Sequence, residues 1–216
     1  MIELKDEIRE LLENQSYLRL KECEDKYILE GKYQYSLNYN GYISQGNKKI
    51  KLVIPKSFPN EIPILYVFDY PKHIEHIYPD NSVCLATIGE LINFLNKNSS
   101  LIAFVDKFID SFIFTIDWFK KYKTYPFGDR KHGYKGLLDY YLNDLNLTKN
   151  NYIEMVFLVK NNNYRGHNDC FCGSNKKIRN CHGKYILPII KNRFYKQKFL
   201  EEALMIMTED GKNVSK

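Results

Sequence analysis

Apolar residues at the start of the chain recur at helical spacing. Leu4, Ile8, Leu11 and Leu12 share one face, so residues 3–14 are predicted to form an amphipathic helix. The period then changes to two. The stretch YILEGKYQYSLNYNG (27–41) alternates aromatic and polar residues and ends in Asn40-Gly41, a hairpin signal. KKIKLVIP (48–55) puts Ile50, Leu52 and Ile54 on one side, and IPILYVFDY (62–70) is a continuous β-type run that suits a central strand. Pro55, Pro59, Pro63 and Pro71 bracket these runs, where a missing ladder donor is tolerated. The expectation is an antiparallel meander of three or four strands.

Helical spacing returns beyond residue 86. Residues 87–97 are predicted as a short helix. In SLIAFVDKFIDSFIFTIDWFKKYK (100–123), Leu101, Phe104, Val105, Phe108, Ile109, Phe112, Ile113 and Ile116 keep three-and-four spacing behind Ser100, a plausible N-cap. This stripe is expected to cover one face of the sheet. Residues 136–145 form another short predicted helix, 152–159 (YIEMVFLV) a strand or buried connector, and 194–208 a terminal helix. The Asn-rich KNNNYRG (160–166) is expected to be a linker. The predicted fold class is α+β, with a larger domain over 1–150 and a small module over 151–216.

Composition adds that a core can be built: 44% of the 216 residues are hydrophobic, with 18 Tyr and 13 Phe. No apolar run approaches the ~18 residues of a membrane span, and the charged N-terminus lacks a signal peptide's apolar middle, so a cytoplasmic protein without a membrane partner is expected. The net charge of +6 is uneven: residues 161–199 carry nine basic residues against one acid, Asp169. This basic tail suits nucleic acid or an acidic partner surface, but a solvated face of a small module is the preferred reading, and nucleic acid is not the expected partner.

The chemistry is concentrated in five cysteines, an odd number that argues against a disulfide framework. Three fall in CFCGSNKKIRNCHG (170–183). Cys170, Cys172, Cys181 and His182 are four soft donors within thirteen positions, the number and type that tetrahedral zinc takes, and Gly173 and Ser174 permit the turn between the pairs. The stretch resembles the SEC-C motif, a short zinc-binding tail module, with Asn175 where that motif prefers glycine. Asn tolerates the left-handed conformation, so the turn survives. The resemblance implies a structural zinc on those four residues and says little about function. Cys23, among charges in LKECEDKY, is expected to be an incidental thiol.

Cys84 follows the turn formers Pro79, Asp80, Asn81 and Ser82, which predicts a thiol emerging from a bend. The segment KLVIPKSFPNEIPILYVF (51–68), with Pro55, Phe58, Pro59 and Pro63, is similar to the strand–FP–x3–P–strand segment of the ubiquitin-conjugating (E2) enzymes. VCLA (83–86) stands where those enzymes read ICL. The resemblance covers about residues 25–120 and puts Cys84 on the thioester-forming position. The family's His-Pro-Asn is absent, and His76 occupies the place of its asparagine. TYPFGDRKHGYKGLLDYY (124–141) resembles a segment of bacterial E2-like proteins of antiphage operons, with His132 as its histidine and Asp129 in place of its glutamate. An E2-like core with a Cys/His tail looks like the E2-like protein encoded beside a cGAS-like nucleotidyltransferase in short type II CBASS systems.

That resemblance implies a UBC-like fold and an acyl carrier. Cys84 takes the C-terminal glycine of the nucleotidyltransferase as a thioester and helps attach it to lysine-bearing targets. His76 is then either an oxyanion donor, a general base, or a loop histidine against Tyr78. His132 lies either near the acyl channel or in a structural loop. Three other readings compete: an E2-like scaffold without chemistry, a basic zinc-knuckle module that binds nucleic acid, and a cysteine hydrolase. No adenylating Gly-rich loop is present, so activation of the acyl group would come from elsewhere.

Overall fold

A computed structural model describes residues 3–127 and 134–214. The two-residue period of the first half becomes one four-stranded antiparallel sheet, β1 (Leu18–Glu22), β2 (Lys26–Tyr39), β3 (Tyr42–Pro55) and β4 (Ile64–Val67), in sequential order. Tyr39 pairs with Tyr42 across Asn40 and Gly41, both at positive φ, so the Asn-Gly turn forms where the sequence placed it. The run at 62–70 is not central: β4 lies at the sheet's edge, with Leu65 and Val67 buried and Ile64 45% exposed. An apolar run alone does not separate a central strand from an edge strand whose free side meets a loop.

The chain divides into two compact units, Met1–Leu85 with Asn98–Asp129, and Ala86–Lys97 with Arg130–Lys216. In the first, α1 (Leu4–Asn14) precedes the sheet, and a continuous helix covers the sheet's inner face. That helix runs through α3 (Leu101–Phe104), a π-helical stretch (Val105–Asp110) and α4 (Ser111–Tyr122). All eight residues of the expected stripe are buried. Ser100 caps α3, its Oγ accepting from the Ala103 N–H at 3.2 Å. Buried Glu7 of α1 reinforces that end: one carboxylate oxygen accepts from Ser100 Oγ (3.0 Å), from the Ile102 N–H (3.1 Å) and from the Leu101 N–H. The wide π turn brings Asp110 to accept from the Tyr33 hydroxyl at 2.7 Å. Two turns on, Asp117 accepts from Tyr35 (2.5 Å) and Ser44 (2.7 Å) and pairs with buried Lys48 at 2.7 Å. Burial pushes Asp117 up, but these donors outweigh it and hold the carboxyl below its ordinary range.

The second unit is helical: α2 (Ile88–Lys97), α5 (Tyr134–Asp139) running into a π stretch (Tyr140–Asp144), α6 (Lys149–Lys160), α7 (Gly183–Lys191) and α8 (Arg193–Val214). The segment expected as a strand or connector at 152–159 is helix α6. Tyr152, Met155, Val156 and Val159 are its buried face, and Thr148 with Asn151 forms a capping box at its start. Glu202 of α8 is buried. Its carboxylate accepts from the Ile88 N–H, at the start of α2, at 2.8 Å and from the Tyr141 hydroxyl at 2.7 Å. No helix among the described residues is long and apolar enough to cross a membrane.

Burial raises the Glu202 carboxyl from 4.5 to about 7, against the opposing hydrogen bonds from Ile88 and Tyr141. The folded state therefore binds the extra proton between these values, and stability falls as pH rises through that window, by ~3 kcal/mol. Glu202→Gln keeps acceptor and shape but removes the titration. Urea unfolding of the two proteins from about pH 4.5 to 8 should show a flatter stability profile in the variant.

Candidate functional site

Residues 76–84 fold into a tight hairpin on the free edge of β4. The Val67 N–H donates to the Asn81 carbonyl (3.1 Å) and the Val83 N–H to the Leu65 carbonyl (2.9 Å), so residues 81–83 continue the sheet past β4. The hairpin then closes on itself. Ile77 pairs with Val83, the Tyr78 N–H donates to Ser82 O at 2.8 Å, and the Cys84 N–H donates to His76 O at 2.9 Å. Its tip follows from the sequence: Asp80 Oδ1 accepts from the Ser82 N–H (3.0 Å) and Oγ (2.6 Å), and Asn81 takes a positive φ that Asn tolerates. Those two hydrogen bonds hold the Asp80 carboxyl below its ordinary range.

The structure thus brings His76 and Cys84 opposite each other at the open end of one hairpin. Cys84 is half-buried. His76 has a φ of 68°, in the left-handed region that histidine enters more readily than branched residues do. Its ring stands edge-on to Tyr125, with centroids 6.5 Å apart, and the Tyr125 hydroxyl accepts from the Glu75 N–H at 3.2 Å. Tyr125 is the second residue of TYPFGD (124–129), so the start of that stretch reaches the Cys84 hairpin. His132 lies outside the described residues.

The second cluster is formed by Cys170, Cys172, Cys181 and His182, whose donor atoms all lie within 4.8 Å of one another. His182 Nδ1 is 3.3 Å from the Sγ atoms of Cys170 and Cys181, and Cys172 Sγ is 3.6 Å from Cys181 Sγ. Tetrahedral zinc with nitrogen and sulfur ligands has edges of about 3.5–3.8 Å, so the donor set fits such an ion in type and spacing. The other ring nitrogen, Nε2, lies 2.8 Å from the Leu145 carbonyl and donates to it when Nδ1 is the ligand. Burial pushes the Cys170 thiol up to about 11. Cys172 is brought down to about 6, where hydrogen bonds from Ser174 and the neighbouring thiols outweigh burial. Three thiolates this close repel, and a bound dication relieves that repulsion. The four residues could therefore hold a metal ion, and zinc is consistent with them.

The loop between the pairs is built as its residues require. The Cys170 N–H donates to Lys176 O (2.8 Å) and the Gly173 N–H to Cys170 O (3.1 Å), with Gly173 and Asn175 both at positive φ. Asn175 does occupy the left-handed conformation expected for a glycine stand-in. His182 immediately precedes α7, and a Cβ on Gly183 would fall 2.6 Å from the Ile178 carbonyl oxygen, so the glycine after His182 is a steric requirement. The Leu145 carbonyl and Asn151, whose Nδ2 donates to Phe171 O at 2.7 Å, were not foreseen as supports. A backbone carbonyl leaves no trace in sequence, whereas the Thr148-x-x-Asn151 spacing is a legible helix start.

Comparison of the chain with protein-family models, with curated proteins and with solved structures finds no match.

The cluster predicts about one metal ion per chain by elemental analysis. Chelation, or Cys170→Ser, should lower the melting temperature of the protein. Gly183→Ala should cost ~1–3 kcal/mol by forcing α7 away from Ile178, read as a lower urea midpoint with unchanged slope.

Proposed function

We propose that the chain is an E2-like acyl carrier with a UBC-like first unit. In this reading Cys84 forms a thioester with the C-terminal glycine of a partner, a cGAS-like nucleotidyltransferase of an antiphage operon, and passes it to lysine-bearing targets. The observation that supports this is the place of Cys84: a partly exposed thiol at the mouth of a polar hairpin, on the edge of a four-stranded antiparallel sheet, opposite His76. The motif resemblance required a thiol held at such a turn, and a buried core cysteine would have opposed it.

The reaction asks little of the protein beyond placement. The Cys84 thiolate attacks the carbonyl carbon of an activated C-terminal glycine. A C–S bond forms, and the adenylate or the donor thiolate leaves. A target lysine amine then attacks the same carbon. The C–S bond breaks, an amide forms, the amine loses a proton and the Cys84 sulfur departs as thiolate. Cysteine is nucleophilic enough for the first step without a strong base, so position dominates. The bond from Cys84 N–H to His76 O fixes where the sulfur starts. The His76 ring, steadied by Tyr125, is assigned the oxyanion donor of the second step. His132 remains a second candidate on the resemblance alone.

Cys170, Cys172, Cys181 and His182 are assigned to a structural zinc ion. Four protein donors close its coordination, so the bound ion contributes folding free energy rather than catalysis.

The test mixes the chain with a nucleotidyltransferase ending in glycine, an E1-like activating protein and ATP, and runs a non-reducing gel. A thiol-sensitive adduct is expected. It should persist in Cys23→Ser and become thiol-resistant or vanish in Cys84→Ser. His76→Ala should slow transfer to lysine by ~10²–10³, with His76→Asn restoring most of it, because asparagine donates a hydrogen bond but is no base. No adduct, or a thiol-sensitive adduct that survives Cys84→Ser, overturns the reading.

A further inference from the structure

We infer that the outer face of the sheet, the side away from α3 and α4, is a docking surface for single-stranded nucleic acid. The charge of this face is invisible along the chain, because its members come from four strands and the basic tail dominates the sequence. Register assembles them. Arg19 pairs with Glu30, Glu30 with Lys51, and Lys51 with Tyr66, so these four form one row across the sheet. Lys32 pairs with Lys49, whose carbonyl accepts from the Phe68 N–H at 3.1 Å, which makes the next row. Lys21, two residues from Arg19, adds a fifth cation on the same side. Glu30 is the one carboxylate on these rows. Asp80, the nearby acid of the hairpin tip, interacts with Lys51, so the five cations face two carboxylates.

The rows hold aromatic rings as well as charge. Tyr66 is half-buried and Phe68 is 40% exposed. Lys51 Nζ lies 3.9 Å from the Tyr66 ring centroid and Lys49 Nζ 5.6 Å from that of Phe68. Each aromatic therefore stands beside one cation of the neighbouring strand, and the rows repeat about every 7 Å along each strand. A chain of phosphates with unpaired bases matches both features. Phosphates meet the lysines and Arg19, and bases stack on rings from which the flexible lysines swing away. An acidic protein would use the charge but has no comparable claim on the rings. The sheet is antiparallel and solvent-facing on this side, so no backbone needs to move.

The experiment measures fluorescence anisotropy of a labelled single strand of about 12 nucleotides against the full chain from about 50 to 200 mM salt. Binding is expected, with a log–log salt slope near −3, as about four to five phosphate contacts on a single strand imply. Lys49→Glu with Lys51→Glu should weaken binding at least tenfold and shallow the slope by about 1.4. Tyr66→Ala with Phe68→Ala should weaken it several-fold and leave the slope unchanged. Circular dichroism and the melting temperature show that each variant is folded, and Cys84→Ser should bind as the parent does, so this outcome is separate from the acyl-carrier test. Absence of binding overturns the inference. So does binding lost on reversing Lys176, Lys177 and Arg179 but kept in the sheet variants. Polyglutamate that competes as well as the oligonucleotide, with no effect of removing the rings, also overturns it and assigns the face to an acidic protein.

Discussion

The register of β2, β3 and β4 is the constraint from which the rest of the first unit follows. Side chains alternate strictly along a strand, so one choice of pairing decides both faces at once. The pairing that aligns Ile28 with Val53 and Val53 with Ile64 buries Leu29, Leu52 and Leu65 against the helical layer. The same pairing turns Lys51 and Tyr66 outward. It also ends β4 so that the backbone of Leu65 and Val67 is free to pair with residues 81–83. A slip of one residue would expose the leucines, bury the lysines and leave the Cys84 hairpin without its anchor. The inward Lys48 is the exception, and it is accommodated only because Asp117 meets it at 2.7 Å.

Two buried carboxylates perform the same task in the two units. Glu7 collects the first N–H groups of α3, and Glu202 collects that of Ile88 at the start of α2. Each satisfies orphan donors at a helix N-terminus, where a negative charge is also favoured by the helix dipole. The compensation differs in degree. Glu7 is buried but spreads its charge over two N–H groups and the Ser100 hydroxyl. Glu202 has one N–H and one phenol, in a wall of tyrosines that includes Tyr141 and Tyr152. Burial raises the Glu202 carboxyl to about 7, against the hydrogen bonds from Ile88 and Tyr141.

Much of this was legible in the chain. The three-and-four stripe from Leu101 to Ile116, the Ser100 cap, the Asn40-Gly41 turn and the left-handed Asn175 follow from side-chain periodicity and local backbone preference, which act over a few residues. What was missed depends on tertiary context. The 62–70 run reads as central because a continuous apolar run does not report which neighbour is missing. Helix α6 reads as a strand because Ile153 and Phe157 are apolar yet exposed, which blurs its period. Glu7 and Glu202 sit among charged neighbours in sequence, and only packing shows them buried. The four-residue metal cluster was the most legible site, since its donors are nearly contiguous. The pairing of His76 with Cys84 was legible as proximity, but its backbone hydrogen bond and the Tyr125 contact were not.

The five cysteines sort themselves by environment, and that sorting bears on which of them can do chemistry. Cys170, Cys172 and Cys181 lie within contact of one another and of His182, so a metal ion that orders the loop also ties up their sulfurs. Cys23 stands in the β1–β2 turn, its N–H donating to Lys26 O at 2.8 Å, with the acids Glu22, Glu24 and Asp25 beside it in sequence. Cys84 has no acid within three residues on either side in sequence, and its hairpin partner is a histidine. A carrier thiol must be reachable and uncommitted to metal. Cys23 and Cys84, both half-buried and outside the cluster, meet these conditions, and of the two Cys84 is the one held opposite a histidine.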